Sequence, residues 1–214
     1  MRVVITGANR GIGQALDEKL SNLGHHVIGT ARQGGEFEHL DVSKPSSHAA
    51  LARKLDTQPI DLVVCNAGVY SDKHQNLADG YPHEMWRDTF EVNVTGVFLT
   101  IQNLLPNLQM STSPKIAIIS SQMASDKLAS GKSYIYRASK AAVLNLGRNL
   151  AADLHGIGIA VGIYHPGWAR SEIGGSNADI SAAEAAAGLA DRFESLSLET
   201  TGCFETWDGR QHPF

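Results

Sequence analysis

The chain has 214 residues, 43% of them hydrophobic, enough for one domain with a substantial core. A formal charge of -4 and the absence of any block of Lys or Arg argue against nucleic acid or an anionic membrane as the main partner, and favour a small neutral or anionic ligand. No apolar run approaches the roughly 20 residues that span a bilayer, and strand-like residues start at Arg2 without a leader pattern, so a soluble, cytoplasmic protein is expected.

In chain order, "RVVIT" (2–6) is an apolar, β-branched run, followed by a loop from Gly7 to Gly13 and the amphipathic "GQALDEKLSNLG". That reads as strand, glycine loop and helix, with Gly24 as the stop. "HVIGTA" (26–31) predicts a second strand. Only about ten residues separate it from Asp41, too few for a covering helix, so a loop and a short strand are expected at that sheet edge. Next come a helix near 46–56, the strand "DLVVCNAG" (61–68) with Cys65 as a buried thiol, and one helix near 82–107. "KIAIISS" (115–121), a helix near 134–155 and "IAVGIYHPG" (159–167) follow. After Pro166 a glycine- and serine-rich stretch predicts a mobile flap at about 169–181, and "AAEAAAGLADRFESL" a covering helix. The alternation predicts one α/β domain over 1–214, a doubly wound parallel sheet with helices on both faces and its site at the carboxyl ends of the strands.

Cys65 and Cys203 lie far apart without a CxxC partner, and the nine histidines include no HExxH, so neither a disulfide framework nor a metal site is expected. "SYIYRASK" (133–140) is more informative. Residues four apart share a helix face, so Tyr136 reaches Lys140, whereas Tyr134, six away, does not. An ammonium beside a phenol favours phenolate and lowers a pKa of about 10. Reaching about 7 takes roughly 4 kcal/mol, close to what one charge about 4 Å away supplies at an effective dielectric of about 20. The alternative is an ordinary exposed helix pair. Of Ser120 and Ser121, adjacent at a strand end, only one can face a site.

Six ordered motifs resemble the short-chain dehydrogenase/reductase family across nearly the whole chain: "TGANRGIG" (6–13), "NAG" (66–68), "NVTG" (93–96), "SS" (120–121), "YRASK" (136–140) and "PGWARS" (166–171). The short length and the ending "TGCFETWDGRQHPF" resemble the C-factor and sniffer-type carbonyl reductases within it. The resemblance implies a Rossmann-type domain and an NADP(H)-dependent reductase of small or medium carbonyl compounds. It makes Tyr136 the proton donor or acceptor and Ser121 the hydrogen-bond partner of the substrate oxygen. Lys140 lowers the phenol pKa and holds the ribose, and Asn93 anchors a water that relays protons towards Lys140. The implied cofactor residues are Gly7, Asn9, Arg10, Gly11, Ile12 and Gly13 in the first loop, then Arg32, Asp41, Val42, Asn66, Ala67, Gly68, Pro166, Gly167 and Trp168, with Tyr136 and Lys140. Cys65 stands where many members have asparagine, Ser171 where many have threonine, and two extra residues separate the serine from the tyrosine.

Strand two ends in "GTARQ". Ala31 offers no carboxylate to bind a ribose diol, while Arg32 and Arg10 bring two guanidinium groups for a 2′-phosphate. The alternative is two solvated surface arginines. Substrate specificity is expected in the flap and in the loop from Val69 to Tyr81, and small-residue helices suit a homodimer or homotetramer. Two rivals are a dinucleotide-binding sensor or signalling protein, which would need no acid, and a nucleotide-sugar epimerase, which would need a larger substrate domain.

Overall fold

The computed structural model describes all 214 residues. The apolar runs form seven strands: β1 (Arg2–Thr6), β2 (His26–Ala31), β3 (Glu38–His39), β4 (Leu62–Cys65), β5 (Lys115–Ile119), β6 (Ala160–His165) and β7 (Phe204–Thr206). They pair in parallel in the order β3-β2-β1-β4-β5-β6-β7. Val4 lies opposite both Ile28 and Val63, and Ile118 opposite both Cys65 and Ile163. The chain winds outward from β1 to β3, then restarts at β4 on the other side of β1. The crevice at the carboxyl ends of β1 and β4 is therefore the switch point where such sheets bind ligands.

Six helices cover the sheet: α1 (Gly11–Asn22), α2 (Pro45–Lys54), α3 (His83–Phe90), α4 (Gly96–Gln109), α5 (Tyr134–His155) and α6 (Ala182–Ser195). The pleat sorts the strand residues between two cores. Val4, Val63, Ile116 and Ile118 pack with Leu51 of α2, Ile101 and Leu104 of α4 and Val143 of α5. Val3, Val64, Ala117 and Ile119 pack with Leu16 of α1 and Leu189 and Phe193 of α6. Helix α6 begins with a capping box, Ser181 and Glu184 each bonding the other's backbone. No helix is long and apolar enough to cross a membrane.

Two features differ from the sequence reading. The helix expected over 82–107 is divided by a π-helical turn at Glu91–Thr95. The wider turn resets the helix face, and it falls at Asn93, whose side chain is thereby turned inward (below). Strand β7 was not expected: its three residues are too few to show a period, and they extend the sheet beside β6. Cys65 is the buried strand thiol anticipated, pushed up to about 12 by burial, and both cysteines are free.

Candidate active site

A cavity of about 600 Å³ opens at the carboxyl ends of the strands, within the usual size for a ligand site. One wall is backbone. The β1-to-α1 loop turns through Gly7, at φ +69°, and packs so tightly that a Cβ on Gly13 would lie 2.1 Å from the Gly7 carbonyl oxygen. Asn66 fastens this loop to the end of β4: its Nδ2 donates to the Thr6 and Gly7 carbonyls at 2.9 and 3.1 Å, while its own N–H donates to Thr6 Oγ1 at 3.0 Å. Helix α1 starts at this cradle with no side-chain cap, so its first N–H groups are available to an anion. Asn9, Gly11, Ile12, Arg32, Asp41, Val42, Ala67, Gly68, Pro166, Gly167 and Trp168 line the same cavity. A glycine cradle, an open helix N-terminus and an exposed Arg32 form a donor set that fits a dinucleotide phosphate chain.

Asp41 sits at a turn beside the cavity. It reaches the cavity wall, and it initiates a turn by accepting from Ser43 N–H and Ser43 Oγ at 3.0 and 2.7 Å. Burial would raise its carboxyl, but those bonds and the nearby Arg32 and Lys44 hold it below the usual carboxylate range. Arg10 is an ion-pair partner of Glu172 in the flap. The flap is turned and braced rather than bare coil: Trp168 Nε1 donates to Gly174 O at 2.8 Å, and Arg170 N–H to Ile180 O at 2.8 Å.

The opposite wall is made of side chains. Tyr136, on the first turn of α5, is buried, and the ring of Tyr70 stacks on it with centroids 4.1 Å apart. Lys140, one turn on, is also buried; its Nζ donates to Ile119 O at 2.9 Å and lies 5.7 Å from the Tyr136 ring centroid. The two serines separate as the pleat requires. Ser120 Oγ donates to Lys140 O at 3.1 Å, whereas Ser121 acts on the Tyr136 phenol and accepts from Met123 N–H at 3.1 Å. Tyr134 is 39% exposed and pairs edge-on with Tyr81.

The electrostatics correct the simple charge argument. Burial pushes the Tyr136 phenol up to about 12; Ser121 acts in the other direction, and Tyr70 and Asp72 add to the rise. Burial brings Lys140 down to about 8. Desolvation is the largest influence on the phenol in this geometry, and the ammonium four residues away is not among the groups that shift it. Asn93 lies behind the cavity wall rather than in its lining. Its amide accepts from Val69 N–H at 2.8 Å and donates to Val69 O and Ser139 Oγ at 2.9 and 3.0 Å. It braces the strand-β4 exit against α5, with both amide hydrogens committed.

Sequence reasoning marked the 69–81 loop as a specificity segment but singled out no residue in it. Tyr70, which lines the cavity, and Asp72 behind it come from that loop. Aperiodic loop sequence gives no sign of which helix Asp72 meets.

A sequence profile of the short chain dehydrogenase family matches residues 1–180. The chain belongs to that family. C-signal of Myxococcus xanthus is 32% identical over 168 residues, covering 77% of this chain and 99% of that protein. The 1-hydroxy-2-glutathionyl-2-methyl-3-butene dehydrogenase of Rhodococcus sp. (strain AD45) is 31% identical over 224 aligned residues, 97% of this chain and 96% of that one. Among solved structures, an NADPH-bound carbonyl reductase from chicken fatty liver superposes with a TM-score of 0.91 at 25% identity, covering 100% of this chain and 98% of the other.

Proposed function

We propose that this oxidoreductase is an NADP(H)-dependent reductase of small or medium carbonyl compounds, with Tyr136 as the acid. The observation that carries the reading is the convergence of Tyr136, Ser121 and Lys140 on one cavity whose other wall is an anion-binding glycine loop. Similarity to an NADPH-bound carbonyl reductase supports the cofactor and the reaction type. Bound NADPH would supply the hydride. Gly7, Gly11, Gly13 and the α1 N-terminus would hold its phosphates, Arg32 the 2′-phosphate, Asp41 and Val42 the adenine, Lys140 the ribose, and Pro166, Gly167 and Trp168 the nicotinamide end.

Ser121 Oγ orients and polarises the substrate oxygen by donating a hydrogen bond. Tyr136 Oη delivers the proton to the oxygen that becomes the alkoxide, and a phenol held protonated by burial suits that direction of transfer. Lys140 places a positive charge behind the phenol and restrains the phenolate that results. Asn93 keeps the β4 exit and α5 in register. The flap near 169–181 and the C-terminal segment complete the substrate pocket of a single catalytic domain, and the small-residue faces of α5 fit a homodimer or homotetramer in the cytoplasm.

A second reading, a dinucleotide-binding signalling protein, is favoured by the similarity to C-signal. A panel of aldehydes, ketones and quinones, 4-nitrobenzaldehyde among them, separates the two. NADPH oxidation followed by absorbance should exceed background with at least one carbonyl. NADPH binding without turnover of any would favour the signalling role.

A further inference from the structure

We propose that Tyr70 and Asp72, on the loop after β4, are positioning residues that clamp the lead-in of α5 and thereby hold the Tyr136 hydroxyl in the cavity. The inference rests on Tyr136 being the acid, and it adds two residues to which no role was assigned by sequence.

The lead-in is strained. Gly131, Lys132 and Ser133 are consecutive left-handed residues, at φ +76°, +58° and +50°, and two of them carry side chains that disfavour this region. Ser133 is the N-cap of α5 yet makes no capping bond to its own helix. Left alone, such a start would fray, and Tyr136 sits within its first turn.

Both missing restraints come from the other loop. Asp72, 1% exposed, accepts from Ile135 N–H at 2.8 Å and from Tyr136 N–H at 3.3 Å, performing the capping that Ser133 does not. Its carboxylate also matches the positive end of the α5 dipole. The hydroxyl of Tyr70 is 2.5 Å from Ser133 Oγ, tying down the left-handed residue itself. From that anchor the Tyr70 ring lies flat on Tyr136, with an interplanar angle of 22°. One loop therefore fixes the backbone, the cap and the ring plane of the same tyrosine.

The groups acting on the phenol are Ser121 after β5 and Tyr70 and Asp72 from the clamp, and Lys140 Nζ on α5 faces the ring at 5.7 Å from its centroid. Asp72 opposes phenolate, so removing its charge should lower the phenol pKa. A residue that merely stabilised the fold would leave the titration of Tyr136 unchanged.

The test uses the full-length protein with NADPH and 4-nitrobenzaldehyde, well below the melting temperature of each variant. Asp72→Ala is expected to lower kcat on the order of 10²-fold, with the KM for NADPH changed by no more than about twofold. Asp72→Asn keeps an accepting oxygen without the charge; it should recover most of that rate, with the pH limb that reports Tyr136 moved to lower pH. A folded Asp72→Ala with wild-type kcat and pH profile would overturn the clamp. Should Asp72→Ala not fold, Tyr70→Phe decides, since it keeps the stacked ring and loses only the Ser133 bond. A kcat reduced by about tenfold supports the clamp, and a wild-type kcat overturns it. Tyr136→Phe, run alongside, separates the two ideas: wild-type rate there sinks the acid assignment, whereas an inactive Tyr136→Phe beside unaffected clamp variants sinks the clamp alone.

Discussion

The two walls of the cavity are built from different materials. On the nucleotide side the surface is backbone, a glycine turn pinned by Asn66 and an open helix end, and the side chains that project there, Arg10 and Arg32, stand in solvent. On the catalytic side the functional groups are buried side chains, Tyr136, Lys140 and Ser121, held by loops that are distant in sequence. A backbone wall contributes recognition at little desolvation cost. A buried wall sets its chemistry by desolvation and so costs stability. Substitutions on the catalytic wall should accordingly change rate and pH dependence, and those on the nucleotide wall should change affinity.

The largest effect is expected at Tyr136. Tyr136→Phe removes the proton donor and should cost about 10² to 10⁴ in kcat with NADPH affinity nearly unchanged. Tyr134→Phe, at an exposed position facing Tyr81, should keep most of the rate. Steady-state kinetics on both variants checks this, and equal losses would break the assignment of the acid.

Lys140 tests the stability side of the comparison. Burial brings it from 10.5 to about 8, so between those values the unfolded chain holds a proton that the folded one has released. Stability from this group therefore rises with pH across that window, by roughly 3 kcal/mol at about 1.4 kcal/mol per pH unit, and the full penalty applies below pH 8. Lys140→Met should lose activity yet be more stable than wild type at pH 7, with the advantage shrinking as pH rises from 8 to 10. Chemical denaturation of both proteins across that range reads the difference directly.

Much of this division was legible in the sequence, and unevenly. The backbone wall was read almost completely, because a glycine loop between a β-branched run and an amphipathic helix is a local pattern, and all of the expected cofactor residues line the cavity. Tyr136 and Lys140 were also legible, since helix period alone places them together. What escaped was long-range or too short for a period: the π turn that contains Asn93, the three residues of β7, and the Tyr70 and Asp72 contacts to residues more than sixty positions away. The phenol pKa escaped for a related reason. A four-residue spacing reveals the attracting charge but not the depth of burial opposing it.

On the nucleotide wall, Arg32→Ala should weaken NADPH by about one to two orders of magnitude while leaving NADH nearly unchanged, as loss of a charge-assisted contact worth roughly 1.5 to 3 kcal/mol requires. Arg32→Asp should go further. Isothermal titration with both cofactors decides it, and a wild type that prefers NADH would rule out the arginine reading.

The smallest effect is expected at Arg10, although sequence reasoning paired it with Arg32. Arg10 already has a carboxylate partner, Glu172 of the flap, and both side chains are more than half exposed. An ion pair of that kind contributes roughly 0 to 1 kcal/mol. A 2′-phosphate approaching Arg10 must displace Glu172, so the net gain from the new contact is reduced by the pair it replaces. Arg10→Ala should therefore change the NADPH dissociation constant by no more than about fivefold, well below Arg32→Ala. Glu172→Gln, which frees Arg10 without removing it, should tighten NADPH slightly, and added salt should erase the difference because both groups face solvent. Losses at Arg10 as large as those at Arg32 would mean that the flap carboxylate does not compete for this guanidinium, and that the two arginines act on the phosphate as equals.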